Sequence, residues 1–259
     1  MTAEDPVLDR GRYRAMVAAT PADVERALGL RRAVFRGGGA SDRDVFDLRC
    51  RHLIVERRDT GETLACCRLL PCADGSEIGQ SYSASRYRLD RLAEFEGPLL
   101  EIGRFCLAPD THDPDILRLL WALIATEVDR LGAGLLFGCV SFPGTDPAAL
   151  GAALGWLGRS HAAPGRWQPE RLAPDTLPLA TWPAGAPRAA LAMLPPLLRT
   201  YLGMGGWVGD HLVIDRDLGT CHVFCAVEVA RIPSARARAL RALAEGGAAG
   251  TLAGLPRDL

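Results

Sequence analysis

The sequence predicts an α/β (α+β) fold: a mixed central sheet flanked by helices, with a Pro-rich arm before the last β-hairpin. Three observations carry this. Turn residues join two pairs of strand-like runs, at Asp59-Thr60-Gly61-Glu62 and Asp215-Arg216-Asp217-Leu218-Gly219. Two amphipathic helices lie among the strands, each opening on Pro and closing on Gly. Eight of the 18 Pro fall in one stretch, Ser160–Gly203, which breaks up regular structure there.

The elements follow in order. Tyr13–Ala19 reads as a strand. Thr20-Pro21-Ala22-Asp23 opens a helix, with Thr as N-cap, Pro at the first position and an acid three residues on. Val24, Ala27, Leu28 and Val34 keep helical spacing to Arg36, and Gly37-Gly38-Gly39 ends it. The acidic stretch Ser41–Cys50 holds a short second helix. His52–Arg58 and Thr63–Leu70 form a hairpin, a mixed loop runs to Gly97, and Leu99–Ala108 is a third, mostly apolar strand. Asp113 caps a helix with Pro114 at its first position. Its broad apolar face runs from Ile116 to Leu131, and Gly132 stops it. Leu135–Val140 is a strand and Asp146–Leu157 a helix. The arm holds one short helix near Arg188–Leu194. Trp207–Ile214 and His222–Val229 make the last hairpin. Residues 1–232 thus read as a single domain with its arm at 160–203, and 233–259 as a tail, basic at first and then Ala/Gly-rich.

Composition excludes several chemistries. Among 259 residues the 30 basic side chains are all Arg, balanced by 31 acids, and Lys and Asn are absent. Schiff-base chemistry and a P-loop lysine are therefore ruled out, as is a Cys-His-Asn triad. A GC-rich codon bias explains both zeros. Charge balance argues against nucleic-acid binding. Met1–Arg14 is polar and has no apolar core like that of a signal peptide, so the cytoplasm is the expected compartment. The eight Cys read as free thiols. Cys221, His222 and Cys225 cluster, but on a strand successive side chains face opposite ways, so no metal is expected.

Familiar motifs fail. Gly132-x-Gly134 with Gly138 precedes a strand instead of following one. Gly138–Gly144 has the wrong spacing around Ser141 for a nucleophile elbow. Asp42, Asp44 and Asp47 lack the glycine of a calcium loop and meet Leu53 where Glu belongs. No His precedes an Asp by five residues. A reaction without a covalent intermediate is what remains.

Charged groups in apolar surroundings mark the candidate site. Glu101 and Arg104 sit in Leu99-Leu100-Glu101-Ile102-Gly103-Arg104-Phe105. A Glu there is costly unless paired or protonated. On a regular strand the two would face opposite ways, and a bulge at Gly103 would bring them to one face. Asp42-x-Asp44-x-Phe46-Asp47 follows a glycine turn, and Asp42 alone reads as a cap on a solvated loop. Arg68 lies in the run Leu64–Pro71. Carboxylates for an ammonium and Arg for a carboxylate suit a zwitterionic small molecule.

These residues carry a resemblance. Leu30-Arg31-x-x-Val34-Phe35, Asp42-x-Asp44-x-Phe46-Asp47, Arg68-Leu69-Leu70-Pro71 and Glu101-x-x-Arg104-Phe105 follow the order seen in acyl-homoserine-lactone synthases. Cys50–Val55, Tyr82-Ser83 and Leu136–Phe142 resemble more closely the ornithine-lipid N-acyltransferases. The likeness runs from about Gly11 to Pro233. It implies the GNAT acyltransferase fold and transfer of a 3-hydroxyacyl chain from acyl carrier protein to the α-amine of ornithine, giving lyso-ornithine lipid. It implies Glu101 and Arg104 as catalytic residues and Arg31, Phe35, Asp44, Asp47 and Arg68 as substrate-binding ones. No cofactor is bound on this reading; the carrier supplies 4'-phosphopantetheine. CoA-using GNAT enzymes have a glycine loop after the Glu101-type strand, whereas here Pro109-Asp110-Thr111-His112-Asp113-Pro114 has two acids and no Gly, which repels pyrophosphate. For the arm 160–203, rich in Leu, Pro and Trp, three readings stay open: a wall of an acyl groove, peripheral contact with the inner membrane, and plain packing. Acyl-homoserine-lactone synthesis from S-adenosylmethionine, acylation of another amino acid, and acyl-carrier or lipid binding without turnover stay open.

Overall fold

The computed structural model describes residues 5–245. Its elements are β1 (Val7–Arg10), β2 (Tyr13–Val17), α1 (Pro21–Arg36), β3 (Arg51–Arg57), β4 (Thr63–Cys72), β5 (Tyr87–Arg88), β6 (Leu99–Leu107), α2 (Pro114–Leu131), β7 (Leu135–Pro143), α3 (Gly151–Ser160), β8 (Glu170–Arg171), β9 (Thr176–Pro178), α4 (Pro187–Met193), α5 (Pro196–Gly203), β10 (Trp207–Asp215), β11 (Thr220–Glu228) and α6 (Ser234–Ala244). The architecture is the predicted α/β mixture of mostly antiparallel sheet flanked by helices. The described residues form two units. One takes in residues 5–71, 102–132 and 233–245, the other 72–101 and 133–232.

In the first unit the strands run β1-β2-β3-β4, antiparallel, with β6 beside β4. The ends of α1 are set locally. Thr20 Oγ1 accepts from Asp23 N while Asp23 Oδ2 accepts from Thr20 N, and Gly37 closes the helix at φ 56°. Such a cap is worth about 1 kcal/mol. Ala27 and Leu30 of α1 pack on Ile54, Cys66 and Cys106. In α2 the buried face is apolar with one exception: Glu127, fully buried, is paired with Arg51 (2.7 Å) and Arg130 (2.8 Å). Helix α6 packs on α2, and Arg241 bonds Asp129 at 2.7 Å, so the basic start of the tail is ordered structure. The Ala/Gly-rich remainder, 246–259, lies outside the described residues.

In the second unit β6 pairs in parallel with β7, from Leu99↔Leu135 to Glu101↔Phe137. Strand β11 pairs antiparallel with β7 and β10, and β9 adds to β10. The 160–203 stretch holds the predicted short helix as α4 but is more regular than an arm: it also supplies α5 and the strands β8 and β9, and it buries Leu179, Ala190, Leu194, Leu198 and Tyr201. Proline at the first turn starts helices as well as breaking them. The predicted 146–157 helix begins only at Gly151, because Asp146 caps a separate short 3₁₀ turn, its Oδ1 accepting from Ala148 N at 2.9 Å. Gly155 explains how the former arm seats on α3. A Cβ there would come within 2.4 Å of the carbonyl oxygens of Trp182 and Pro183, so only glycine admits that backbone. The loop read up to Gly97 is likewise ordered, as 3₁₀ turns at Gly75–Gln80, Ser83–Ser85 and Asp90–Glu94.

Of the Cys/His cluster, Cys225 Sγ donates to Gly138 O (3.5 Å), and His222 Nδ1 lies 3.1 Å from the hydroxyl of the fully buried Tyr87. Burial pushes the His222 imidazolium down from 6.5 to about 4, with Asp215 nearby opposing the shift. The folded protein therefore resists a proton that the unfolded chain accepts. His222 adds stability above pH 6.5 that is lost as pH falls toward 4. Urea unfolding should show about 2 kcal/mol less stability at pH 5 than at pH 7 from this group alone. His222→Asn, which keeps a donor toward Tyr87, should remove that part of the slope; an unchanged slope contradicts the assignment.

Candidate active site

Six of the predicted residues, Arg31, Phe35, Asp44, Asp47, Arg68 and Arg104, meet in the first unit. Arg31 lies on the buried face of α1 with Ala27, Leu28 and Leu30. The chain turns at Gly37 and returns as a 3₁₀ turn, Val45–Leu48, capped by Asp44. Asp44 Oδ1 accepts from Phe46 N (3.0 Å), and Asp47 Oδ2 accepts from Asp44 N (2.9 Å), which locks the two acids together. Arg31 then binds the returning loop with its whole fork. Nε donates to Asp42 Oδ2 (2.8 Å), Nη1 to Asp47 Oδ1 (2.6 Å), and Nη2 to Asp42 O (2.7 Å) and Asp47 Oδ2 (3.2 Å). Arg68, from β4, donates through Nη1 to Asp44 Oδ1 (2.5 Å) and Asp47 Oδ1 (2.7 Å). Arg104, from β6, reaches Asp42 Oδ2 (2.9 Å) and Asp44 Oδ2 (3.4 Å).

The rings of Phe46 and Phe35 lie 5.6 and 5.7 Å from the guanidinium carbons of Arg68 and Arg104. Phe35 thus sits at the network by stacking on Arg104, as one of its walls.

Three Arg face three Asp, a balance of charge that allows their burial, and the partly exposed Arg36 adds a further cation 3.5 Å from Asp42 Oδ1. Burial by itself would raise the Asp47 carboxyl, but the bond from Arg31, with those from Asp44 N and Arg68, holds it at about 2. Burial would lower the Arg68 guanidinium, and its carboxylate partners Asp44 and Asp47 overcome this and raise it. His52, whose Nε2 lies 3.3 Å from Asp47 O, is pushed down by burial. Asp42 corrects an expectation: it is no solvated cap but a side chain with no exposure, shared between Arg31 and Arg104. The members that reach solvent are Asp44, with 23% of its side chain exposed, and Arg104, with 9%. Arg68 Nη2 is buried without a protein acceptor.

The predicted irregularity in β6 falls one residue late. Arg104, not Gly103, takes the left-handed conformation, at φ 51°, the one non-glycine residue to do so among those described. That costs about 1–2 kcal/mol and is held by the bonds to Asp42 and Asp44. Gly103 lies against Arg68, whose Nε would stand 3.4 Å from a Cβ at that position.

Glu101 belongs to the second unit. It is 3% exposed, and both its oxygens are taken by consecutive backbone donors: Tyr82 N to Oε2 at 3.0 Å and Ser83 N to Oε1 at 2.7 Å. The apolar run explains its burial, and the 3₁₀ turn Ser83–Ser85 supplies the donors. Residue-by-residue reading missed this clamp, because backbone N–H groups leave no mark in side-chain chemistry. The Tyr82-Ser83 pair marks its position all the same.

Beyond β6, Asp113 occupies the first turn of α2. Its Oδ1 accepts from Asp115 N (3.0 Å), and its Oδ2 accepts from Tyr13 Oη (2.9 Å) and Arg12 Nη2 (3.3 Å). A cavity of about 470 Å³ opens there, lined among others by Tyr13, Arg57, Leu64, Ala108 and Asp110. The helix end that would receive a pyrophosphate already holds a carboxylate of this chain.

Likeness to known proteins assigns the chain to the GNAT acyltransferases. The acetyltransferase (GNAT) domain family matches residues 30–122, which include Arg31, the acidic turn, Arg68, Glu101 and Arg104. The L-ornithine N(alpha)-acyltransferase of Rhodobacter capsulatus is 32% identical over 232 residues, 83% of this chain and 90% of that protein. That of Brucella abortus is 31% identical over 219 residues, 80% of this chain and 77% of that protein. The chain belongs to the L-ornithine N(alpha)-acyltransferase family. Among solved structures, FeeM, an N-acyl amino acid synthase from uncultured soil microbes, aligns with a TM-score of 0.45 at 12% identity over 85% of this chain and 94% of that one.

Proposed function

We propose that this enzyme moves a 3-hydroxyacyl chain from acyl carrier protein to the α-amine of ornithine, giving lyso-ornithine lipid. The observation that carries the reading is the buried Glu101, clamped by two N–H groups in a member of an N-acyltransferase family. The ornithine amine is protonated at neutral pH and cannot attack in that form. Glu101 takes that proton, directly or through water. The amine nitrogen attacks the thioester carbonyl, the C–N bond forms, the C–S bond breaks, and the carrier's 4'-phosphopantetheine leaves as a thiol. The enzyme itself binds no cofactor. Arg104, three residues along the same strand, and Asp44 are the exposed members of the ion network and meet substrate charges. Arg68 Nη2 is a ready donor to a carboxylate. Arg31, Asp47 and Phe35 hold these groups in place.

The acids at the start of α2 support a carrier-bound donor. Asp113 and Asp110 repel a pyrophosphate but tolerate a single phosphodiester, so the carrier-bound substrate is preferred. At equal concentration, 3-hydroxyacyl-CoA should be used at least about tenfold less efficiently than 3-hydroxyacyl carrier protein. Equal efficiency overturns that preference. Among the described residues no helix is long and apolar enough to cross a membrane. In 160–203 the side chains named above are spent on packing, while Leu172, Leu191 and Met193 stay exposed and leave apolar surface open to a bilayer. Mass spectrometry of products from a panel of amino acids, with S-adenosylmethionine included, tests the acceptor. Acyl-ornithine is expected, and an acyl-homoserine lactone or no product at all rejects the reading.

A further inference from the structure

Tyr82 touches two buried carboxylates at once. Its backbone N–H donates to Glu101 Oε2 (3.0 Å), and its hydroxyl donates to Asp215 Oδ2 (3.1 Å), 133 residues away in sequence. Asp215 is itself fixed. Its Oδ1 accepts from Asp217 N and Leu218 N, both at 3.1 Å, in the turn between β10 and β11. Arg86 completes the group, with its guanidinium carbon 5.4 Å from the centre of the Tyr82 ring and Nη2 3.5 Å from Asp215 Oδ2.

The turn that carries Tyr82 and Ser83 is shaped locally. Ser81 Oγ accepts from Ala84 N (3.1 Å), and Ser85 Oγ donates to Tyr82 O (2.6 Å). Those bonds fix the turn's shape. Its place is set by longer-range contacts: Ser83 Oγ lies 3.5 Å from Cys139 Sγ, and the Tyr82 hydroxyl reaches Asp215. We infer that Tyr82 and Asp215 are positioning residues for Glu101: the phenol pins the 82–83 N–H pair to the β10–β11 turn, and that pair in turn aims the carboxyl that removes the amine proton. The inference rests on the reading of Glu101 as base. It assigns catalytic weight to a tyrosine that transfers no proton and to an aspartate that touches no substrate.

The chemistry of Asp215 adds a discriminating variant. Its two oxygens do two jobs, Oδ1 for the turn and Oδ2 for the phenol. In Asp215→Asn the amide oxygen keeps the turn, and the NH2 group donates to the phenol oxygen, so the pin survives with reversed polarity. In Asp215→Ala it is lost.

The test is steady-state kinetics, with folding checked by thermal unfolding. Tyr82→Phe should lower kcat about tenfold with KM for both substrates unchanged within twofold, since the ring still packs and only the aim of the base is lost. Asp215→Ala, which also frees Asp217 N and Leu218 N, should lower kcat at least as much, and the double variant should be no worse than Asp215→Ala, because the Tyr82–Asp215 bond is already lost there. Asp215→Asn should recover most of the rate. In a Glu101→Gln background Tyr82→Phe should cost nothing further. Wild-type kcat in Tyr82→Phe, a loss confined to KM, or a loss that multiplies with Glu101→Gln overturns the inference. Full activity of Glu101→Gln alone overturns the base assignment instead, so the two failures are distinct. Should Tyr82→Phe unfold, the contrast between Asp215→Asn and Asp215→Ala decides: equal losses reject the pin.

Discussion

Glu101→Gln is expected to lower kcat for amide formation by about 10²–10⁴-fold, the range for loss of a positioned general base. KM should change little, because the carboxyl acts on the proton and not on binding. The substitution does carry a folding cost. Both carboxyl oxygens accept from backbone N–H groups, and in Gln one of these donors would face an NH2 group. One unmet buried donor costs about 1–3 kcal/mol. The variant should therefore fold, with a lower thermal midpoint, and fail in the chemical step. Single-turnover rates separate these effects, and a rate within threefold of wild type would remove Glu101 from the mechanism.

Arg31→Met should have the largest effect on stability. The guanidinium makes four hydrogen bonds to Asp42 and Asp47, and all three side chains are about 1% exposed or less. Removing it strips Asp42 and Asp47 of the partner that binds both, inside the protein, and leaves them to Arg36, Arg68 and Arg104. Breaking a buried network in this way costs about 3–5 kcal/mol, against a typical total of about 5–15. Asp47 gives the accompanying acid signature. With its carboxyl held at about 2, below the usual 3.8, it adds stability that is present above pH 4 and lost as pH falls toward 2. Without Arg31 that carboxyl rises, and the acid limb of unfolding should shift to higher pH. Urea titrations at pH 7 and pH 3.5 measure both effects, and a loss below 1 kcal/mol at pH 7 would contradict the role given to the network.

Legibility followed the range of the interaction. Thr20, Pro21, Asp23 and Gly37 fix α1 through neighbours a few residues away, so its limits are read from the sequence alone. Asp113, Pro114 and Gly132 do the same for α2. Strand β1 escaped notice because Val7–Arg10 is four residues long and half polar, and it is a strand through its pairing with β2. The site shows the same division. Glu101, Arg104, Arg68, Asp44 and Asp47 stand out as charges in apolar runs. Asp42 looked solvated because its burial depends on Arg104, 62 residues away. The left-handed conformation of Arg104 depends on those same bonds, and the sequence signal, Gly103, lies one residue off. The 160–203 stretch was misread for a related reason. Its Pro content is visible, but the groove on α3 that receives Trp182 and Pro183 arises only once α3 turns Gly155 outward.

The central claim is amide formation on the α-nitrogen of ornithine with Glu101 as base. Tandem mass spectrometry of the product from ornithine and 3-hydroxyacyl carrier protein, with wild type and Glu101→Gln side by side, tests it most directly. The account predicts a fragment pattern that places the acyl group on the α-nitrogen, formed by wild type and reduced at least a hundredfold in the variant. Acylation at the side-chain nitrogen, or equal product from both proteins, would contradict it.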